Sequence, residues 1–101
     1  MKSIESDTKA SALSGWNSFK PINFYCYAPD AESVHFTGDF NQWTPVEMLQ
    51  RPEGWWYLQV ELPHGHHQYR FLVDGRPTLD PHATGVGRDE ENEPVSIIAV
   101  S

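Results

Sequence analysis

The feature that most constrains this chain is the rhythm of its apolar residues between Pro21 and Val100. They come in short runs that alternate with polar residues, and each run is closed by Pro, Gly, Asp or Asn. A period of two puts every second side chain on one face of a strand. No stretch here sustains a helical period. The turn clusters are Ala28-Pro29-Asp30-Ala31, Arg51-Pro52-Glu53-Gly54, Pro63-His64-Gly65 and Asp74-Gly75-Arg76-Pro77. Strands are expected at Ile22 to Ala28, Ser33 to Thr37, Val46 to Leu49 and Pro94 to Val100. With the two arms around Pro63-His64-Gly65 and turn signals between the rest, the pattern predicts an all-β, two-sheet sandwich of about seven strands.

The segment from Trp55 to Asp74 reads as a hairpin about Pro63-His64-Gly65. Trp56, Leu58, Val60 and Leu62 share one face of the first arm, and Tyr69, Phe71 and Val73 one face of the second. Pairing across that turn sets Trp56 opposite Val73, Leu58 opposite Phe71 and Val60 opposite Tyr69. The other face then gathers Trp55, Tyr57, Gln59, Arg70 and Leu72, a mixture of rings, amides and a cation. Trp55, Tyr57 and Leu72 are therefore candidate binding residues beside Arg70. Between Asp80 and Asn92 the chain reads as a polar loop.

Residues 1–20 are rich in Ser, Lys, Thr, Ala and Asp and read as a flexible N-terminal tail, with 21–101 as the folded domain. Trp16 and Phe19 mark where the chain joins the fold. A 101-residue chain supports one modest core, and four Trp are more than such a core encloses, so some aromatic surface is expected to be exposed. The net charge is -7 and the seven basic residues are scattered, which argues against nucleic acid and against an anionic membrane surface. Nothing has the length of a transmembrane span. Cys26 is the single cysteine; an internal disulfide is impossible, and a buried free thiol suits a reducing, cytoplasmic setting.

One loop carries chemistry: Gly38-Asp39-Phe40-Asn41-Gln42-Trp43. An exposed indole offers a flat apolar plane to the C–H face of a pyranose ring, and stacked aromatic contacts contribute on the order of 1 kcal/mol beyond area burial. Asn41 and Arg70 would serve the ring hydroxyls, at roughly 0.5–1.5 kcal/mol net per hydrogen bond.

Taken with Gly54-Trp55-Trp56, Leu62-Pro63-His64-Gly65, Gln68-Tyr69-Arg70-Phe71 and Val73-Asp74-Gly75, this loop makes the chain resemble the family 48 carbohydrate-binding modules. The resemblance implies an immunoglobulin-like, early-set sandwich that binds α-glucan polysaccharide or maltooligosaccharide and performs no catalysis. It also implies that Trp43 stacks on sugar and that Arg70 bonds its hydroxyls. Such modules stand at the front of family 13 glycoside hydrolases and branching enzymes, and in the β-subunit of AMP-activated protein kinase. A glycogen-metabolising enzyme or kinase is thus an expected partner. Relative to the kinase-type pattern, Pro77 stands where a second stacking Trp is expected, and Glu91, Glu93 and Val95 fall where that pattern clasps the glucan. Trp55 is the expected substitute for the missing plane. The alternatives are a protein-interaction module that has lost sugar binding and the front module of a larger family 13 enzyme.

Other constellations carry less. His66 and His67 are adjacent on a strand and point to opposite faces, leaving His64 and His66 as a two-ligand set that is poor for a metal. No cofactor is expected. A glycosidase needs two carboxylates about 5–9.5 Å apart in a cleft, whereas Asp39, Asp74 and Asp80 sit in turns. Asp89-Glu90-Glu91 reads as a solvated loop.

Overall fold

The computed structural model describes residues 19–101. Among the described residues there are nine strands: β1 (Phe19–Tyr27), β2 (Val34–Gly38), β3 (Val46–Glu47), β4 (Leu49–Gln50), β5 (Trp55–Pro63), β6 (Gly65–Val73), β7 (Arg76–Thr78), β8 (Gly85–Arg88) and β9 (Pro94–Val100). They form two antiparallel sheets. One has six strands in the order β3-β2-β6-β9-β8, with β7 also pairing β6; the other has three in the order β1-β5-β4. The two-sheet sandwich is as expected. The count rises above about seven because 46–50 supplies two short strands and because Arg76–Thr78 and Gly85–Arg88 pair where no strand is expected.

Val46 to Leu49 is not one strand. β3 pairs with β2 in the larger sheet and β4 with β5 in the smaller one. The chain changes sheets at Met48, which is buried and whose N–H donates to the Val34 carbonyl at 2.8 Å. Gly85–Arg88, inside the expected loop, pairs with β9. The larger sheet therefore gains its outermost strand from glycine-rich sequence that alternation does not reveal.

The expected hairpin is overturned. β5 pairs with β1 and β4, whereas β6 pairs with β2, β9 and β7, so the chain crosses from one sheet to the other at Pro63-His64-Gly65. Pro63 lacks the N–H that a ladder needs, and Gly65, at φ +127°, turns the chain over the end of the sandwich. The His67 ring nitrogen Nε2 lies 2.9 Å from the Pro63 carbonyl and closes this corner. Trp56 accordingly faces Cys26 and Gln50 in register, not Val73, and Phe71 faces Phe36 and Thr78, not Leu58.

Alternation still delivers the core. Phe24, Cys26, Trp56 and Leu62 from the smaller sheet meet Val34, Phe36, Tyr69, Phe71 and Val100 from the larger. Burying each large apolar side chain contributes about 1.5–3 kcal/mol. Two polar groups inside are satisfied. The Trp56 indole N–H donates to the Ala28 carbonyl at 3.1 Å, and the Tyr69 hydroxyl donates to the buried Asp80 carboxylate at 2.6 Å. Burial first, then that carboxylate, pushes the Tyr69 hydroxyl well above its ordinary value of 10.0, so it stays a donor.

The smaller sheet begins at Phe19, paired with Pro63, and Lys20 pairs with Leu62. These two residues belong to β1 rather than to a tail. The rest of the expected tail, including Trp16, lies outside the described residues.

Candidate functional site

Gly38 ends β2 where no side chain fits: a Cβ there would stand 2.2 Å from Cε2 of the Phe40 ring. With Phe40 seated against Phe36 at 5.6 Å between centroids, the loop pivots on this contact. A 3-10 turn over Asp39–Asn41 follows. Gln42 and Trp43 then both adopt left-handed backbone, with φ of 57° and 59°. A bulky residue held there stores on the order of 1–3 kcal/mol of strain, which surrounding bonds must offset. The Trp43 N–H donates to the Gly38 carbonyl at 2.8 Å and the Thr44 N–H to that of Asn41 at 3.2 Å. The Asn41 amide donates to the Thr44 carbonyl at 2.9 Å and accepts from the Gly38 N–H at 3.4 Å. Asn41 thus spends its amide on holding the loop.

Arg70 projects from the outer face of β6, across from Thr37. Its guanidinium carbon lies 4.8 Å from the centroid of the Trp43 ring, a cation–π contact. Its Nη2 donates to Asp89 Oδ2 at 2.6 Å, and both side chains are only 16% exposed. Asp89 is itself fixed, because its Oδ1 accepts from the N–H groups of Glu91 and Glu93, each at 2.9 Å. The Glu93 N–H first, then the Arg70 guanidinium, holds the Asp89 carboxyl below its ordinary value of 3.8. Glu90 and Glu91 are exposed, as in a solvated loop, but Asp89 is half-buried and makes the run a folded turn. Sequence reasoning missed Asp89; the signal was an Asp two residues before Glu91 and four before Glu93, the spacing of a self-capping turn.

These residues line a hollow of about 580 Å³ with Trp43, Arg70, Gln68, Asp39, Asp89, Glu90 and Glu91 on its walls. A second hollow of about 570 Å³ shares Arg70 and Glu91 and continues past Pro77, Thr78, Leu79 and Glu93. Pro77 is exposed and sits opposite Leu72 on the adjoining strand. Beneath the surface, the Thr37 hydroxyl and the Nε of Arg70, its partner in register, are buried and have no hydrogen-bond partner among the described residues. Such groups cost about 1–3 kcal/mol each when left unmade. Val95 is fully buried and cannot clasp a ligand from the surface.

The expected site residues divide. Trp43 and Arg70 come together, and Leu72 lies two residues along the same outer face. Trp55 and Tyr57 do not join them. Because β5 and β6 lie in different sheets, the face expected to hold Trp55, Tyr57, Gln59, Arg70 and Leu72 is split. Trp55, Tyr57 and Gln59 stand on the opposite side of the sandwich, so Trp55 supplies no second plane beside Arg70. Among the described residues no group of three or more His, Cys, Asp or Glu has the arrangement of a metal site. No helix among them is long and apolar enough to cross a membrane.

Comparison with known proteins bears on what this site recognises. The family model described as the glycogen recognition site of AMP-activated protein kinase matches residues 21–101. The chain is 35% identical to the 5'-AMP-activated protein kinase subunit beta-1 of Sus scrofa over 78 residues, 77% of this chain and 58% of that protein. It is 41% identical to the 1,4-alpha-glucan branching enzyme GlgB of Lactobacillus acidophilus over 66 residues, 59% of this chain and 10% of the enzyme. The human kinase subunit beta-1 is 40% identical over 50 residues, half of this chain and 18% of that protein. The chain thus spans less than two thirds of each of these relatives. The match covers both the Trp43 loop and the strand that carries Arg70, and the chain belongs to the family of the glycogen recognition site of AMP-activated protein kinase.

Proposed function

We propose that this domain binds α-glucan, as glycogen, starch or a maltooligosaccharide, through Trp43 and Arg70, and performs no chemistry on it. The observation that carries the reading is Trp43, held in left-handed backbone with Arg70 fixed against its ring by Asp89. Strain maintained by a dedicated set of bonds is what a recognition loop requires, because the indole is then oriented before the ligand arrives. Sugar hydroxyls both donate and accept, so they suit the Arg70 guanidinium and the carboxylates of Asp39, Glu90 and Glu91 around the same hollow. Asn41 acts through the loop, and Leu72 extends the apolar side of the same face towards Pro77.

With one indole plane and few hydrogen bonds, single-site binding falls between millimolar and tens of micromolar, roughly 4–6 kcal/mol. Glucan association with a glycogen-metabolising enzyme or kinase follows for the larger assembly, as the relatives' names suggest. The buried free thiol of Cys26 supports a reducing, cytoplasmic compartment. Calorimetric titration with maltoheptaose and electrophoresis through glycogen test the reading. Heat and retardation are expected, and Trp43→Ala removes most of both. A wild-type chain that gives neither at millimolar ligand refutes it.

A further inference from the structure

We propose that the outer face of the three-stranded sheet is a second glucan-contact surface, which makes the domain bivalent. The inference rests on the reading above only in taking the ligand to be a neutral glucan.

The face is built by strand parity. Trp56, Phe24 and Cys26 point into the core, so their neighbours Trp55, Tyr57, Tyr25 and Tyr27 point out. Tyr25, Tyr27 and Trp55 are 49%, 60% and 37% exposed, and Leu49, beside Tyr57 in register, is 60% exposed. Apolar surface gathered on one sheet face in this way marks a contact site. The rings touch without covering one another. Tyr25 lies 5.1 Å from Tyr57 and 6.5 Å from Trp55, at interplanar angles of 41° and 88°. Tyr27 lies 5.1 Å from Trp55 at 55°. No pair stacks face to face, and Tyr25, Tyr27 and Trp55 stay exposed beside the half-buried Tyr57.

Beside the rings stands an amide pair. Asn23 Oδ1 accepts from the Tyr57 hydroxyl at 2.9 Å and from the Gln59 amide at 3.0 Å. Among the described residues nothing else takes up the Asn23 amide nitrogen or the Gln59 amide oxygen, which leaves one donor and one acceptor at the ring edge for hydroxyls. A hollow of about 550 Å³ adjoins the face, bordered by Asn23, Tyr25 and Trp55 and reaching the core residues Phe24, Tyr69 and Ile98. It has no sequence overlap with the hollow at Trp43.

Charge decides the occupant. The chain carries a net charge of -7, yet Asn23, Tyr25, Tyr27, Leu49, Trp55, Tyr57 and Gln59 are all uncharged. Arg51 and His82 border the hollow, as does Asp80, whose carboxylate is buried and taken up by the Tyr69 hydroxyl, and Glu61 lies farther along β5. A basic partner finds no exposed carboxylate among the rings, and an acidic partner meets the repulsion of the whole chain. A polymer with apolar ring faces and uncharged hydroxyls matches both rings and amides.

Amide-proton spectra of the full chain, titrated with maltoheptaose and repeated at several protein concentrations, read each indole N–H separately. Variants assign the four Trp signals. The Trp56 signal, buried and bonded to the Ala28 carbonyl, reports that each variant is folded. The Trp43 and Trp55 signals are both expected to shift with sugar, and in Trp43→Ala the Trp55 shift persists. On glycogen, Trp55→Ala weakens apparent affinity by about tenfold or more through lost bivalency, while the Trp43 shift with maltoheptaose is unchanged.

A Trp43 shift without a Trp55 shift overturns the second surface and leaves the proposed function standing. A Trp55 shift without a Trp43 shift supports the second surface and moves the glucan site away from Trp43. No shift at either refutes both. A Trp55 signal that moves with protein concentration before sugar is added assigns the face to a second copy of the chain. One that moves in Trp16→Ala without sugar assigns it to residues 1–18. Each of these last two results overturns the proposal.

Discussion

Asp89 shows how one residue can govern a site without needing to touch its ligand. It binds Arg70 through one carboxylate oxygen and two backbone N–H groups through the other. The grip exists only while the carboxyl is ionised. Its value in the fold lies below the ordinary 3.8, so the grip is complete above 3.8 and is lost as pH falls through the lower, folded value. Maltoheptaose affinity is therefore expected to be flat from neutral pH down to about pH 4 and to fall below it. Asp89→Asn should bind several-fold more weakly at neutral pH and lose the part of the acid dependence that belongs to Asp89. Asp39, Glu90 and Glu91 line the same hollow, which makes this variant the needed control. Titration calorimetry across pH on both proteins checks it.

At the scale of elements, the loop from Gly38 to Trp43 and the corner at His64 mark how far sequence reasoning reaches. The loop was legible because Trp43 and its glycine are local, and Gly38 has a steric reason to be glycine. Gly38→Ala places a methyl group against the Phe40 ring and tilts the loop. A loss of about 1–3 kcal/mol in urea unfolding is expected, with weakened glucan binding; unchanged stability would show that the ring yields. The corner was not legible. A hairpin and a crossing between sheets both send Trp56, Leu62, Tyr69 and Phe71 into one core, so alternation cannot distinguish them. The inner residues were therefore found, while the outward ones were grouped on a single face that does not exist. Arg70 still lies beside Trp43, because β6 and the loop after β2 belong to one sheet, whereas Trp55 lies apart because β5 belongs to the other. Asp89 was lost in a run of like charges, where backbone geometry rather than charge sets its role.

Across the whole molecule, the sandwich carries its apolar mass between two unequal sheets and its candidate contacts on both outer faces. Cys26 lies in the core near Asp80, and burial first, then that carboxylate, pushes its thiol up to about 11. At neutral pH it is both inaccessible and protonated. A thiol reagent is expected to label Cys26 only at the rate at which the domain opens, with half-maximal labelling in urea coinciding with the loss of tryptophan signal. Labelling that precedes unfolding would mean that β1 detaches before the rest.

The crossing at His64 also has a consequence for how the chain is made. It joins two strands whose ladder partners lie elsewhere: Phe19 closes on Pro63, Gly38 on Tyr69, and Ser96 on Tyr69. Such distant pairings place the domain among the slower folders, on the order of milliseconds to seconds. β9 is inserted between β6 and β8, so the larger sheet cannot close until residues 94–100 arrive. During vectorial synthesis β1 can already pair with β5 and β2 with β6, while Gly65 to Tyr69 still lack their second neighbouring strand. The nascent domain therefore passes through a half-built stage with its core open along β6, where it is most exposed to aggregation.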